Sequence, residues 1–148
     1  VLRSFGKFFG LAGLRLGFAV AGSDVASRLR QRLGPWAVSG PALAIGAQAL
    51  ADEAWIGQAR RRLAAQSAEL AGLLERHGLA IAGRNALFVL ARHDDARSLA
   101  QALARRHILV RVFDDRPGLL RFGLCRDAAG LGRLAGALKA IANAAVQS

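Results

Sequence analysis

Residues 4–18 read SFGKFFGLAGLRLGF, and this stretch decides how the rest of the chain is interpreted. An apolar strand at residues 1–6 runs into a turn whose flanking glycines permit backbone conformations that other residues avoid. Lys7 lies on that turn. A second apolar run, at residues 16–22, ends in glycine, as in a strand covered on both faces. The sequence therefore predicts two strands joined by a loop that presents a lysine.

Two polar residues accompany the lysine at fixed spacing: Ser4 comes three residues before Lys7, and Arg15 comes eight residues after it. The segment resembles the cofactor-lysine segment of pyridoxal-phosphate (PLP) aminotransferases of the aspartate-aminotransferase type. The resemblance implies that Lys7 holds PLP as a Schiff base while Ser4 and Arg15 bind its phosphate. The residue types suit these roles, because a guanidinium binds phosphate through two hydrogen bonds and a hydroxyl adds another. A Schiff-base lysine must react as the uncharged amine, which a cationic neighbour favours.

The alternative interpretation of Lys7 is a polar residue on a loop without chemistry. For one lysine among glycines this alternative would be the better choice, since short motifs have many false matches. Here the match covers all of residues 4–18, and Lys7 is one of only two lysines in a chain with 19 arginines. We therefore favour the cofactor lysine.

A second resemblance to the same family lies near the other end of the chain. Residues 108–111 (ILVR) and 119–124 (LLRFGL) flank a short turn, and they resemble the C-terminal strand pair of the family. The resemblance implies that Arg121 binds the substrate α-carboxylate, although an arginine on an exposed edge strand is the alternative. In the branch that acts on phosphorylated amino acids, Arg111 would meet the substrate phosphate. The alternative for Arg111 is a solvent-exposed strand residue with no role in binding.

The branch of the family is indicated by residues 34–43, GPWAVSGPAL, taken together with the lysine segment. This combination most resembles PLP-dependent decarboxylases that act on a phosphorylated amino acid in cobalamin biosynthesis. Histidinol-phosphate-type aminotransferases are the alternative branch. Both branches use the same lysine, so the sequence does not separate decarboxylation from transamination.

The fold expected from the patterns is of the α/β class, with helices packed on a small, mostly antiparallel sheet. We expect residues 1–34 to be the end of a large PLP-binding domain of a fold-type-I enzyme, and residues 35–148 to hold interdomain helices and a small domain. A helical pattern over 41–77 breaks near residues 52–55 and ends at Gly78. The remaining expected elements are strands at 79–82, 87–91, 108–113 and 119–124 and helices at about 25–33, 95–106 and 127–146. Asp24 is expected to cap the first of these helices, and the pairs at 94–95 and 114–115 are expected to be helix caps or turn formers instead of acid-base groups.

The resemblance covers essentially the whole chain but only the C-terminal portion of the family's chain. Most groups that surround PLP in the family have no counterpart in these 148 residues. We therefore expect the chain alone to be inactive and to bind PLP weakly. The resemblance implies that the full-length protein is an enzyme and a homodimer whose partner is a small phosphorylated amino acid. The lack of a membrane span and of a charged-then-apolar leader predicts a cytoplasmic location.

The net charge of +11 raises nucleic acid as an alternative partner. We do not favour it, because the arginines are scattered along helical stretches and no basic platform interleaved with aromatic residues is visible. No apolar run approaches the ~20 residues of a membrane span, so no membrane partner is expected. The three histidines are far apart, without metal-ligand spacing, and no metal is assigned.

Overall fold

A computed structural model describes residues 1–146 of the chain. They form two compact units, Val1–Ala59 and a second that begins at Arg60. The boundary between the units falls inside one long helix, α3, at Glu53–Arg76. The expected boundary after residue 34 concerns the domains of the whole protein, and it stays a prediction.

The first unit contains a two-stranded antiparallel ladder followed by helices. The strands pair from Leu2 opposite Ala19 to Ser4 opposite Gly17. In chain order the elements are β1 (Leu2–Ser4), a short 3-10 helix (Ala12–Leu14), β2 (Gly17–Ala19), α1 (Ser23–Leu33), α2 (Gly40–Ala51) and the start of α3. Both predicted strands therefore exist and are partners.

Two expectations for this unit were wrong in detail. All residues of β1 and β2 are exposed, whereas the apolar run at 16–22 had predicted that β2 is covered on both faces. Asp24 was expected to cap a helix from about residue 25, but α1 begins two residues earlier, with Gly22 as its N-cap. Asp24 instead lies in the first turn, where its carboxylate is favourable beside the helix dipole.

The predicted break between α2 and α3 is confirmed at Asp52. The carboxylate of Asp52 accepts a hydrogen bond from the backbone N–H of Trp55 at 2.9 Å, which starts the second helix. The Ser39 hydroxyl caps α2 in the same way, at 3.3 Å from the Ala42 nitrogen. At the far end of α3, Gly78 adopts a left-handed conformation with φ of +81°, as predicted for a helix C-terminus.

The second unit is a four-stranded antiparallel sheet with helices. The strand order is β3-β4-β6-β5, and every neighbouring pair is antiparallel. The elements are β3 (Ala80–Arg84), β4 (Phe88–Arg92), α4 (Ala96–Ala104), β5 (Arg111–Val112), β6 (Leu119–Gly123) and α5 (Ala128–Val146). The predicted antiparallel sheet with a β5–β6 hairpin is confirmed, although β5 is shorter than expected.

One face of this sheet carries the hydrophobic core. In β4 and β6 alternate residues are buried, with Val89 and Leu120 fully so. These side chains join a cluster with leucines of α3, α4 and α5, among them Leu74, Leu103 and Leu138. Because buried and less buried residues alternate along these strands, the other face of the sheet does not pack against the helices of the core.

The Asp95 carboxylate caps α4 by accepting a hydrogen bond from the Ser98 N–H at 3.1 Å. The side-chain and backbone hydrogen bonds from Ser98 hold the pKa of Asp95 below its ordinary value. The predicted capping role of this acidic residue is confirmed, in place of acid-base chemistry.

Packing of the first unit depends on Gly46 of α2. A Cβ built at this buried glycine would collide with Leu16 Cδ2 and lie 3.6 Å from Phe5 Cζ. Gly136 on α5 offers a matched control, since a Cβ there meets nothing within 4 Å. Alanine improves helix propensity at both sites alike. We expect Gly46→Ala to be less stable than Gly136→Ala by about 1–3 kcal/mol in denaturant unfolding, and equal stabilities would contradict this packing.

Candidate functional site

The lysine loop connects β1 to the 3-10 helix and presents Lys7 to solvent. The Lys7 carbonyl accepts a hydrogen bond from the Gly10 N–H at 3.1 Å, closing a turn in which Gly10 takes a left-handed φ of +70°. The base of the loop is fixed by backbone hydrogen bonds from Phe5 to Leu16 and from Leu11 to Phe5. The lysine is thus exposed on a loop with a rigid base.

An aromatic cluster packs against the lysine loop. Phe5 is buried, and its ring stacks on Phe9 with centroids 4.8 Å apart. Phe9 in turn stacks on Trp55 at 5.7 Å, and the Phe8 ring meets the same indole edge-on at 5.6 Å. No local sequence pattern indicates Trp55, because its indole contacts rings that are distant along the chain, those of Phe8 and Phe9. The cluster holds the turn on both sides of Lys7.

Ser4 and Arg15 lie at the ends of the loop. Ser4 is the last residue of β1 and pairs with Gly17, so that Arg15, two residues earlier, is brought toward the same end of the ladder. The Ser4 hydroxyl oxygen accepts from the Gly6 N–H at 3.1 Å, which leaves its own proton free to be donated. Arg15 has a left-handed backbone with φ of +52°, and its Nη1 donates to the Ala12 carbonyl at 3.4 Å.

The backbone of Arg15 is unusual for a residue with a side chain. Left-handed conformations of residues other than glycine store strain, and such residues cluster at functional sites. The guanidinium is exposed and makes no ion pair within residues 1–146. Its remaining N–H groups are free to bind an anion.

Arg111 and Arg121 lie directly opposite each other on β5 and β6. The alternation along β6 places Arg121 on the face away from the core residues Leu120 and Phe122. The guanidinium of Arg121 lies 4.3 Å from the ring centroid of Phe88. The guanidinium of Arg111 lies 5.8 Å from the ring centroid of Phe113, so the two arginines share one face of the sheet while each contacts a different ring.

The other sequence candidates have local roles. His93 accepts from the Asp95 N–H at 3.2 Å through Nδ1, and Asp114 pairs with Arg97 at 2.8 Å on the surface. Burial raises the pKa of the Cys125 thiol, and a partly buried neutral thiol packs as a small apolar group. Within residues 1–146 no three metal-ligating side chains come together, and no helix there is long and apolar enough to cross a bilayer.

The family described as aminotransferase class I and II matches residues 1–138. This chain belongs to that family. The match includes both the lysine loop and the strand pair that carries Arg111 and Arg121. Threonine-phosphate decarboxylases from a Sinorhizobium species and from Pseudomonas aeruginosa are 49% and 48% identical to it, each over 93% of the chain. A histidinol-phosphate aminotransferase of Roseobacter denitrificans is 40% identical over 74% of the chain.

Solved structures confirm the fold of a PLP-dependent aminotransferase. L-threonine-O-3-phosphate decarboxylase from Porphyromonas gingivalis superposes with a TM-score of 0.75 at 23% identity, over 96% of this chain and 46% of that one. Histidinol-phosphate aminotransferase from Sinorhizobium meliloti, solved with pyridoxal-5'-phosphate, gives 0.73 at 23% identity over 95% and 41%. The chain spans about 41% of the length of the two decarboxylases that it matches.

The predicted site residues fall into two groups. Ser4, Lys7 and Arg15 lie in the first compact unit, and the ladder brings the serine and the arginine to one end of the lysine loop. Arg111 and Arg121 lie in the second unit, where the register pairs them. The structure thus has two local arrangements. One is a lysine loop flanked by a serine and an arginine, and the other is a pair of arginines on neighbouring strands.

Proposed function

We propose that the full-length protein is a PLP-dependent threonine-phosphate decarboxylase of cobalamin biosynthesis, which releases carbon dioxide and aminopropanol phosphate. The observation that carries the proposal is the pairing of Arg111 with Arg121 on one sheet face. Threonine phosphate presents two anionic groups, a carboxylate and a phosphate, in one small molecule. The higher identity to decarboxylases than to the aminotransferase favours this branch.

The residues of the lysine loop fit the cofactor by their donor chemistry. An exposed primary amine at Lys7 can bind an aldehyde group covalently. The free hydroxyl proton of Ser4 and the unpaired N–H groups of Arg15 suit the three acceptor oxygens of a phosphate. When bound, PLP supplies an electron sink for the substrate. Lys7 would then serve as the group that moves a proton at the substrate α-carbon.

The two arginines have separate roles in binding the substrate. Arg121, half-buried on the central part of the strand, would bind the α-carboxylate with its planar fork. Arg111 is more exposed and lies on the edge strand, where it would bind the phosphate. Holding both ends fixes the orientation of the bonds at the α-carbon, and that orientation selects which bond breaks.

The second candidate is a histidinol-phosphate-type aminotransferase. It is favoured by the matches to that class and needs the same lysine to move a proton. Histidinol phosphate has a phosphate but no carboxylate, so it would use only one of the two arginines in the first half-reaction, whereas the keto acid that accepts the amino group would use Arg121 in the second. Dimerisation of the full-length protein remains a prediction of the family resemblance, and its location in the cytoplasm remains a prediction of the apolar pattern.

The deciding experiment incubates full-length, PLP-loaded protein with threonine phosphate and measures carbon dioxide and keto acid. We expect carbon dioxide and aminopropanol phosphate in equal amounts. Formation of keto acid alone, in the presence of an amino acceptor, would reject decarboxylation in favour of the aminotransferase. Absence of bound PLP, together with nucleic-acid binding that weakens steeply with salt, would instead favour a basic protein that binds nucleic acid.

A further inference from the structure

Arg121 is held by an aromatic ring instead of an acidic side chain. Its guanidinium carbon lies 4.3 Å from the ring centroid of Phe88, well within the range of a cation–π interaction. Within residues 1–146 the structure gives this arginine no carboxylate partner. A half-buried cation without an acidic partner is uncommon, and the ring supplies its attraction.

The geometry of the guanidinium makes this arrangement suitable for a binding site. A phenyl ring attracts the cation through its π face and has no oxygen acceptor, so it does not occupy the N–H donors as a carboxylate would. A carboxylate partner within the chain would use those donors and would compete with an incoming anion. Phe88 therefore restrains Arg121 without consuming the hydrogen bonds that a ligand needs.

The position of Phe88 is itself fixed by a turn. Asn85 Oδ1 accepts from the Phe88 N–H at 2.9 Å, and the Asn85 N–H donates to the Phe88 carbonyl at 2.9 Å. The Asn85 carbonyl accepts from the hydroxyl of Ser67 on α3 at 2.7 Å. Ser67 is only 1% exposed, so a partly buried hydrogen bond anchors the turn to the helix.

The register explains why the ring reaches the arginine. Phe88 pairs with Gly123, while Arg121 pairs with Leu90, so Phe88 and Arg121 are diagonal neighbours on one face. Gly123 has no side chain and has open space where a Cβ would be. The Phe88 ring lies over the guanidinium of Arg121, and no side chain at position 123 competes for that place.

We propose that Phe88, fixed by the Ser67–Asn85 hydrogen bond, is a positioning residue that presents the edge of the Arg121 guanidinium to a carboxylate ligand. The proposal rests on the proposed role of Arg121 in binding the α-carboxylate. It predicts that losing the ring weakens binding of the carboxylate and leaves binding of the phosphate unchanged.

The test measures binding to the full-length, PLP-loaded protein by calorimetry with two probes. One is 3-phosphooxypropanoate and the other is ethyl phosphate, which lacks the carboxylate. Neither has an amine, so neither is turned over. We expect Phe88→Leu to weaken binding of the first probe about tenfold and to leave the second within about twofold. Phe88→Tyr retains the ring and should bind both probes as the unchanged protein does.

The proposal would be overturned if Phe88→Leu weakened binding of both probes equally or weakened binding of neither. If this variant fails to fold, Phe88→Met, which also lacks a ring, replaces it. The Arg121→Ala variant distinguishes failure of the proposed role of Arg121 from failure of the proposed role of Phe88. If Arg121→Ala still prefers the carboxylate probe as strongly as before, the role of Arg121 is wrong. If it loses that preference while Phe88→Leu keeps it, only the role of Phe88 is wrong.

Discussion

Replacing Lys7 with alanine in the full-length protein is expected to reduce turnover by about 10³-fold or more. The amine is expected both to hold the cofactor and to move a proton, and alanine can do neither. Borohydride reduction of the unchanged protein should place the pyridoxyl label on the peptide that contains Lys7, and mass spectrometry checks this. A Lys7→Ala protein that stays yellow and fully active would refute the role of the lysine.

Lys139 provides the matched control for that experiment. It is the other lysine of the chain and is exposed on α5. We expect Lys139→Ala to keep normal turnover, cofactor absorbance and labelling at Lys7. A comparable loss of activity in both variants would indicate a general effect of removing a lysine instead of a specific role.

Replacing Arg121 with alanine is expected to lower kcat/KM for threonine phosphate about 100-fold, since two charge-assisted hydrogen bonds to the carboxylate are lost. Arg121→Lys keeps the charge but not the planar fork, so its kcat/KM should lie between the value for the unsubstituted protein and the value for Arg121→Ala. Steady-state kinetics on the full-length protein measures both.

Arg116 is the control for Arg121. It lies exposed on the turn between β5 and β6, beside Asp115 at 3.6 Å, and exposed pairs of this kind contribute little. Arg116→Ala should leave kcat/KM within about twofold of the unchanged protein. If Arg121→Ala behaved like Arg116→Ala, the carboxylate would have to bind elsewhere.

Local patterns predicted most of the elements of both units. The helix break at Asp52, the glycine end of α3 and the Asp95 cap of α4 were all correct. Each is decided within a few residues, by a side chain that bonds to a nearby backbone group or by a glycine that permits a positive φ. The length of β5 was overestimated, because strand pairing depends on a partner that the local apolar pattern does not include.

The cover of β2 was also predicted wrongly, because burial too depends on distant parts of the fold. An apolar run indicates that a strand can be buried, but whether it is buried depends on which elements lie against it. In residues 1–146 the ladder has exposed faces, and Leu2 is 84% exposed. Burial is thus a property of the assembled fold and not of the run.

The sequence by itself determined the chemistry of the candidate site: a lysine with serine and arginine at fixed spacing, and two arginines on neighbouring strands. Only the tertiary structure decided that Arg121 faces away from the core, opposite Arg111 and over the ring of Phe88. A shift of one residue in strand register would have turned Arg121 to the other face. Spacing along the chain specifies which groups are available, whereas pairing between distant segments specifies which of them meet.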